Sequence, residues 1–557
     1  MKNETTKFSV SRAILVISNR IKHWALIIFP LCFFFISCNG SKKQSAGQEV
    51  NEVKLQTEDI LFPVSEVLNL KSYYLSSYFH NDSLSLIYGY NYKSHALDCM
   101  DLKRHQISQI LLSSQGESAV MRSVTGLFIQ TPDSIWIYDD TQRILLINGD
   151  GKLLKTVDLR PKLKDNEQIL INTNHAISTA RLFYDGGRHS LLYGIKDFST
   201  SPVTFKVRET FLNSMTPSVD YLLQPSVAVT NVSGRDYGNM SDLNITFTAE
   251  KVLYNYPVES HVYVMDRKSG EQKVFEADSR FTKNVAEKCE SGNYEQWERH
   301  NIENPHFYDL MYLPQTGMYA RLHLGGIEFD ATRDILNLMD DRDLYLTFFD
   351  KDFVVVGEAK LPSHRYNYFT GWRETNDGVA LFVDNSLDEN EKTEELGRLI
   401  GKRGHGLVFG GGKEGLMGAA ARGVDREKGY ILGIAPRFFD KPGVLYEHCT
   451  EFIFTENMRE RKHLLESRSD ATIVVPGGIG TYEEFFEILT LKSLGRIDRP
   501  IVLYNINGYY DSMRALLEYT AGEKFMARDV VDMCRFMKDP EEILDYIENY
   551  RNYGGKL

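Results

Sequence analysis

The sequence has no paired-cysteine pattern. Its six cysteines (Cys32, Cys38, Cys99, Cys289, Cys449 and Cys534) form no CxxC unit and no His/Cys cluster, which argues against a disulfide scaffold and a zinc site, and no metal is expected. Proline (16) and glycine (41) are too sparse for a collagen-like or linker-like chain. Positive charge is in deficit, with 64 Lys and Arg against 76 Asp and Glu, a net charge of −12. That balance lacks the basic footprint that holds a nucleic-acid backbone, so no nucleic-acid partner is expected. The apolar run over residues 24–36 is too short to cross a hydrocarbon core of roughly 30 Å as a helix. What is present is 25% charged and 12% aromatic residues, which excludes a mostly disordered chain. At roughly 100–200 residues per domain, 557 residues require at least two.

Residues 1–23 carry Lys2, Lys7, Arg12, Arg20 and Lys22, and the apolar run then ends at Ser37-Cys38. Basic, apolar and small residues in that order read as a secretory signal. An ordinary signal peptide or a buried apolar strand is the plainer alternative. Phe35-Ile36-Ser37-Cys38 resembles the lipobox of bacterial lipoproteins. The resemblance implies a signal peptide over 1–37, acylation of Cys38, a polar tether over 38–57, and a membrane-anchored protein outside the cytoplasm. If the signal is not used, the chain is cytoplasmic.

Residues 58–386 show short alternating runs broken by Asp, Asn and Gly. The stretch 133–159 (DSIWIYDDTQRILLINGDGKLLKTVDL) is typical: strand, acidic turn, strand, polar turn. Stretches 260–279 and 343–361 repeat it. Repeated small antiparallel sheets bury their faces only against neighbours, which predicts propeller blades, about six at the usual blade size. A pair of two-sheet sandwiches is the alternative. The layout is similar to six-bladed, propeller-like lipoproteins of gut bacteria with no assigned function.

Residues 387–557 change period to strand–loop–helix units, as in a Rossmann-like α/β sheet. The strand near 406–409 enters Gly410-Gly411-Gly412-Lys413-Glu414-Gly415, and a second at 471–475 enters Pro476-Gly477-Gly478-Ile479-Gly480-Thr481. Glycines at such junctions let backbone N–H groups approach an anion at a helix N-terminus. Between the junctions lies Met458-Arg459-Glu460-Arg461-Lys462. Arg461 and Lys462 offer cations for a phosphate, and Glu484 and Glu487 lie one helical turn apart. Read separately, Thr481-x-x-Glu484 is equally a capping box, and Arg461 and Lys462 a solvated helix face.

Together, GGGKEGLMG, MRERK and PGGIGTYEE resemble the ordered motifs of the LOG family of phosphoribohydrolases, once mislabelled lysine decarboxylases. The resemblance implies hydrolysis of the N-glycosidic bond of AMP or an N6-modified AMP, giving free base and ribose 5-phosphate. It makes Arg461 and Glu484 the catalytic pair. It puts Gly410, Gly411, Gly412, Gly415, Met458, Lys462, Gly477, Gly478, Gly480, Thr481 and Thr490 at substrate-binding positions. It implies no cofactor, and a homodimer. The family's first strand and Gly-Ser-Ser loop have no clear counterpart here. Residues 379–383 either stand in for that strand or close the preceding β domain, and the second reading is favoured. On that reading the α/β half lacks a central strand, and an inert domain in a membrane-anchored binding or scaffold protein becomes the alternative to an enzyme. A cytoplasmic nucleotide substrate also conflicts with an exported chain.

Overall fold

In the computed structural model the described residues are 7–15 and 55–550, less short stretches of which the longest are 64–74, 230–236, 173–178 and 383–388. The chain forms two compact units: residues 1–329 with 340–384, and residues 330–339 with 385–557.

The first unit is built from small antiparallel sheets, as alternation predicts. Its inner strands are buried on both faces: every residue of Ala96–Asp101, Met318–Leu324 and Leu344–Phe349 is buried. Outer strands such as Gln106–Leu111 keep exposed positions. Inner strands sandwiched between neighbouring sheets, with outer strands wetted, are what a propeller-like arrangement requires. The expectation of about six blades is corrected to five, over residues 76–111, 124–158, 167–222, 244–275 and 306–360. The remaining sheet is not a run of consecutive strands, which is why length alone misjudged the count. It joins β1 (Lys7–Leu15) and β2 (Leu55–Pro63) to β3 (Trp372–Glu374) and β4 (Val379–Phe382), in the order β2-β1-β4-β3. Ile60 and Phe62 of β2 share a core with Ala380 and Phe382 of β4 and with Ile87 and Met100 of the first blade. Residues 7–15, expected within a signal segment, are thus a strand paired to β2 and β4. Cys38 and the rest of 16–54 lie outside the described residues.

The position of β4 decides where residues 379–382 sit: in the sheet of the first unit. Among its described residues the second unit has six parallel strands in two separate sheets. One is β5 (Leu407–Phe409), β6 (Ile431–Pro436) and β7 (Glu451–Thr455); the other is β8 (Thr472–Val474), β9 (Ile501–Tyr504) and β10 (Arg535–Met537). Among the described residues β5 and β8 are each hydrogen-bonded to a neighbouring strand on one side only. Every residue of β6 and β9 is buried, whereas Leu407, Val408, Thr472 and Ile473 are half-buried. One core still spans both sheets, taking Phe409 and Ile431 from the first and Val502 and Tyr504 from the second.

Helices cover this core. Residues 330–339 enter the unit with most of α1 (Ile335–Asp340), and α2 (Glu389–Lys402) presents Leu396, Leu399 and Ile400 at helical spacing. It crosses α3 (Gly415–Arg426) so closely that a side chain at Gly397 or Gly423 would strike the opposing backbone. Asp334 donates its backbone N–H to Asp425 Oδ2 at 3.0 Å, and Asn337 Nδ2 reaches the same oxygen at 2.8 Å, fixing α1 on α3.

Candidate functional site

Three loops at the carboxyl ends of strands converge here. The first follows β5. Gly411 takes φ +77°, and its carbonyl accepts the Tyr446 N–H at 2.9 Å. Lys413 N–H donates to the Val444 carbonyl at 3.0 Å, so this part of the loop is held by residues 444–446. Gly410 faces Arg461 so closely that a Cβ there would displace the guanidinium. Glycine at 410 is therefore a requirement of Arg461's position.

The second element is α4 (Met458–Ser467). Asn457 caps it, its side chain accepting the N–H groups of Arg459 and Glu460 at 3.0 Å each. Glu460 reaches back past the cap to accept the Glu456 N–H at 2.9 Å, tying the preceding residue to the first turn. One turn into this fixed start, Arg461 is buried, and its Nη1 donates to Glu484 Oε1 at 2.5 Å. Lys462 points to another pair of carboxylates, Glu483 Oε1 at 2.5 Å and Glu487 Oε2 at 2.7 Å. Those hydrogen bonds raise its pKa above the ordinary lysine value.

The third element is α5 (Ile479–Ser493), which follows β8. Its N-cap is Gly478, with no side-chain cap, and Thr481 lies inside the helix against Gly477. The capping-box reading of Thr481 and Glu484 is therefore wrong: the helix begins earlier, and Glu484 instead receives Arg461. Nothing lies within 4 Å of where a side chain at Gly478 or Gly480 would begin, so this helix N-terminus is open to an anion. Thr490 sits six residues beyond Glu484 in α5, at the helical spacing of Glu483 and Glu487. Met458 opens α4 and is 41% exposed.

Sequence reasoning missed two tyrosines. Tyr509 donates to the Gly477 carbonyl at 2.7 Å and Tyr510 to the Val475 carbonyl at 2.6 Å, so both pin the second glycine loop. They follow β9 in Asn505-Ile506-Asn507-Gly508, whose turn residues were the available signal. Among the described residues no three His, Cys, Asp or Glu side chains are grouped to hold a metal, and no helix is long and apolar enough to cross a membrane.

Residues 52–360, more than half of the chain, match the family described as a domain of unknown function, DUF4221. Residues 417–547 match the family described as possible lysine decarboxylase. The chain is 40% identical over 142 residues to the cytokinin riboside 5′-monophosphate phosphoribohydrolase of Mycobacterium tuberculosis, covering 25% of this chain and 76% of that one. It is 36% identical over 171 residues to a probable enzyme of the same name from Oryza sativa subsp. japonica, covering 31% and 74%. The chain belongs to DUF4221 and, through its second unit, to the LOG family. A crystal structure of a DUF4221 member from Bacteroides vulgatus is also similar, at 15% identity and a TM-score of 0.46, over 57% of this chain and 89% of that one. Within the LOG unit, the residues that sequence motifs singled out from three separate segments, Gly410, Arg461 and Glu484, meet at one place.

Proposed function

We propose that the LOG unit hydrolyses the N-glycosidic bond of a purine nucleoside 5′-monophosphate, AMP or an N6-modified AMP. The observation that carries this is the Arg461–Glu484 pair set between the two glycine loops. In the reaction the bond from ribose C1′ to the base nitrogen breaks, water supplies the hydroxyl to C1′, and its remaining proton goes to the departing base. Positive charge grows on the sugar as the bond lengthens, and the Glu484 carboxylate stabilises it and orients the water. Arg461 holds that carboxylate in position through its 2.5 Å hydrogen bond. The open start of α5, with Gly477, Gly478, Gly480 and Thr481, takes the 5′-phosphate, helped by Lys462 and by the loop of Gly410, Gly411, Gly412 and Gly415. A doubly wound, Rossmann-like sheet would put these loops at its carboxyl edge, where α/β proteins bind nucleotides.

Full-length protein incubated with AMP is expected to release adenine, and Glu484→Ala to abolish the release. A folded preparation that yields no adenine refutes the enzyme reading. A second reading, a non-catalytic scaffold, draws on β5 and β8, whose one-sided pairing leaves the sheet of the LOG unit divided.

We further propose a homodimer through the LOG unit, for which exposed Phe486, Tyr519 and Phe525 offer apolar contact surface. Membrane attachment through an acylated Cys38 is proposed from the sequence. Processing there would remove β1, so cleavage and the four-stranded terminal sheet exclude each other in one molecule. Mass spectrometry of the mature N-terminus decides between them: Met1 retained refutes the anchor.

A further inference from the structure

A column of rings runs through the fifth blade. Buried Arg321 lies over Phe307 at 4.7 Å from the ring centre. Phe307 stacks on His323 at 5.2 Å, His323 on Tyr345 at 5.0 Å, and Tyr345 on Phe281 at 5.1 Å with planes only 16° apart. Arg280 lies over Phe281 at 4.6 Å. The inner members are fixed from several sides. Arg321 donates to the Ser260 and Ala277 carbonyls at 2.6 and 3.0 Å, and His323 Nε2 meets Ser279 Oγ at 3.1 Å. The outer end of this rigid column forms one wall of a cavity of about 300 Å³.

Pro305, Ile327 and the Gly325–Gly326 backbone line the rest together with three charged side chains, each already compensated. Glu303 accepts from Arg299 Nε at 3.0 Å, Asp343 pairs with Lys360 at 2.7 Å, and Lys283 pairs with Glu287 at 2.7 Å. A cavity lined by balanced pairs gains little from an ion, because a charged ligand would compete with an existing partner and lose its own hydration. It still offers carboxylate acceptors and ammonium and hydroxyl donors to a neutral polar ligand. A planar base finds no open ring face, since Tyr345 and Arg280 both lie against Phe281. Ring edges remain, and these carry partial positive charge that suits oxygen atoms. The volume is at the small end for ligand sites.

We propose that this cavity is a binding site for a neutral polyhydroxylated ring, a single pyranose unit, held between the Phe281–Tyr345 wall and the Glu303, Asp343 and Lys283 side chains.

Gly325 provides a clean test. A Cβ there would meet Thr282 Cγ2 at 3.4 Å and Tyr345 Cε2 at 3.5 Å, ordinary contacts, so a side chain can begin at this lining position, and Gly325→Val adds two methyl groups beside the cavity. The full-length chain would be titrated, by saturation-transfer NMR and calorimetry, with methyl β-glucopyranoside, methyl β-galactopyranoside and N-acetylglucosamine, and with citrate and spermidine as charged comparators. At least one neutral sugar is expected to bind, with at least tenfold weaker binding in Gly325→Val and in Phe281→Ala at unchanged melting temperature. If Phe281→Ala does not fold, Gly325→Val decides alone. No binding of any neutral sugar, binding that survives Gly325→Val, or citrate or spermidine bound in a manner Gly325→Val abolishes, would each overturn the proposal.

Discussion

The two units end their sheets in different ways. In the propeller-like unit the two ends of the β domain share one sheet, β2-β1-β4-β3, and that sheet packs on the first blade. Among the described residues of the LOG unit, β5 and β8 are paired on one side only, and the first two residues of each are half-buried. Parallel strands depend on cover over both faces and on neighbours at both edges. Among the described residues β4 is paired on both sides within the first sheet, between β1 and β3.

If the first unit is a closed system, its buried charges should be its most sensitive points. Asp309 receives Arg181 Nε at 2.9 Å and Nη2 at 2.8 Å, and its other oxygen accepts Trp372 Nε1 at 2.9 Å. Arg181 precedes the third blade's inner strands, Asp309 belongs to the fifth blade and Trp372 to the terminal sheet. Asp309→Ala leaves the Arg181 charge buried without its partner, and the expected loss is about 3–5 kcal/mol in chemical denaturation. A loss under about 1 kcal/mol would mean the ring does not depend on this junction and would weaken the contrast with the LOG unit.

The contrast makes a second, smaller prediction inside the LOG unit. Amide exchange follows local opening, and opening is easiest where backbone groups lack partners. Amides of β5 and β8 are expected to exchange at least tenfold faster than those of β6 and β9, a difference of about 1.4 kcal/mol in protection. Equal protection across the four strands would show that both edges of the divided sheet are covered in solution.

Much of this was legible in the residues, and the failures have a physical pattern. Alternation around Ser134–Asp139 and the glycine loops near β5 and β8 are local signals, set by side-chain period and backbone freedom; they located strands and singled out Gly410, Arg461 and Glu484, which lie together. The blade count failed because the terminal sheet depends on Val10 facing Phe382 across most of the chain, a pairing with no local signature. The short segment 330–339, which interrupts the fifth blade and packs on α3, was invisible for the same reason. The capping box at Thr481 failed differently. The motif was present, but Gly478 starts the helix three residues earlier, freeing Glu484 for Arg461. Tyr509 and Tyr510 carried no motif, and only the closeness of β9 to β8 brings them to the glycine loop.

The smallest expected effect tests whether the site depends on local order more than on the divided sheet beneath it. Asn457 satisfies two N–H groups at the start of α4, and Arg461 lies one turn beyond. Asn457→Ala should cost about 1 kcal/mol, with unfolding of the first unit unchanged. Its consequence for the site should exceed that figure, because a frayed first turn lets the guanidinium swing away from Gly410 and Glu484. If the proposed hydrolysis holds, turnover of AMP falls while the substrate concentration for half-maximal rate changes little, since Arg461 acts on the carboxylate that meets the transition state. Asn457→Asp keeps a capping oxygen and should restore most of the rate. Loss of rate in both variants would assign Asn457 a role beyond the cap, and an unchanged rate in the alanine variant would show that the ion pair with Glu484 holds Arg461 in place without help from its helix.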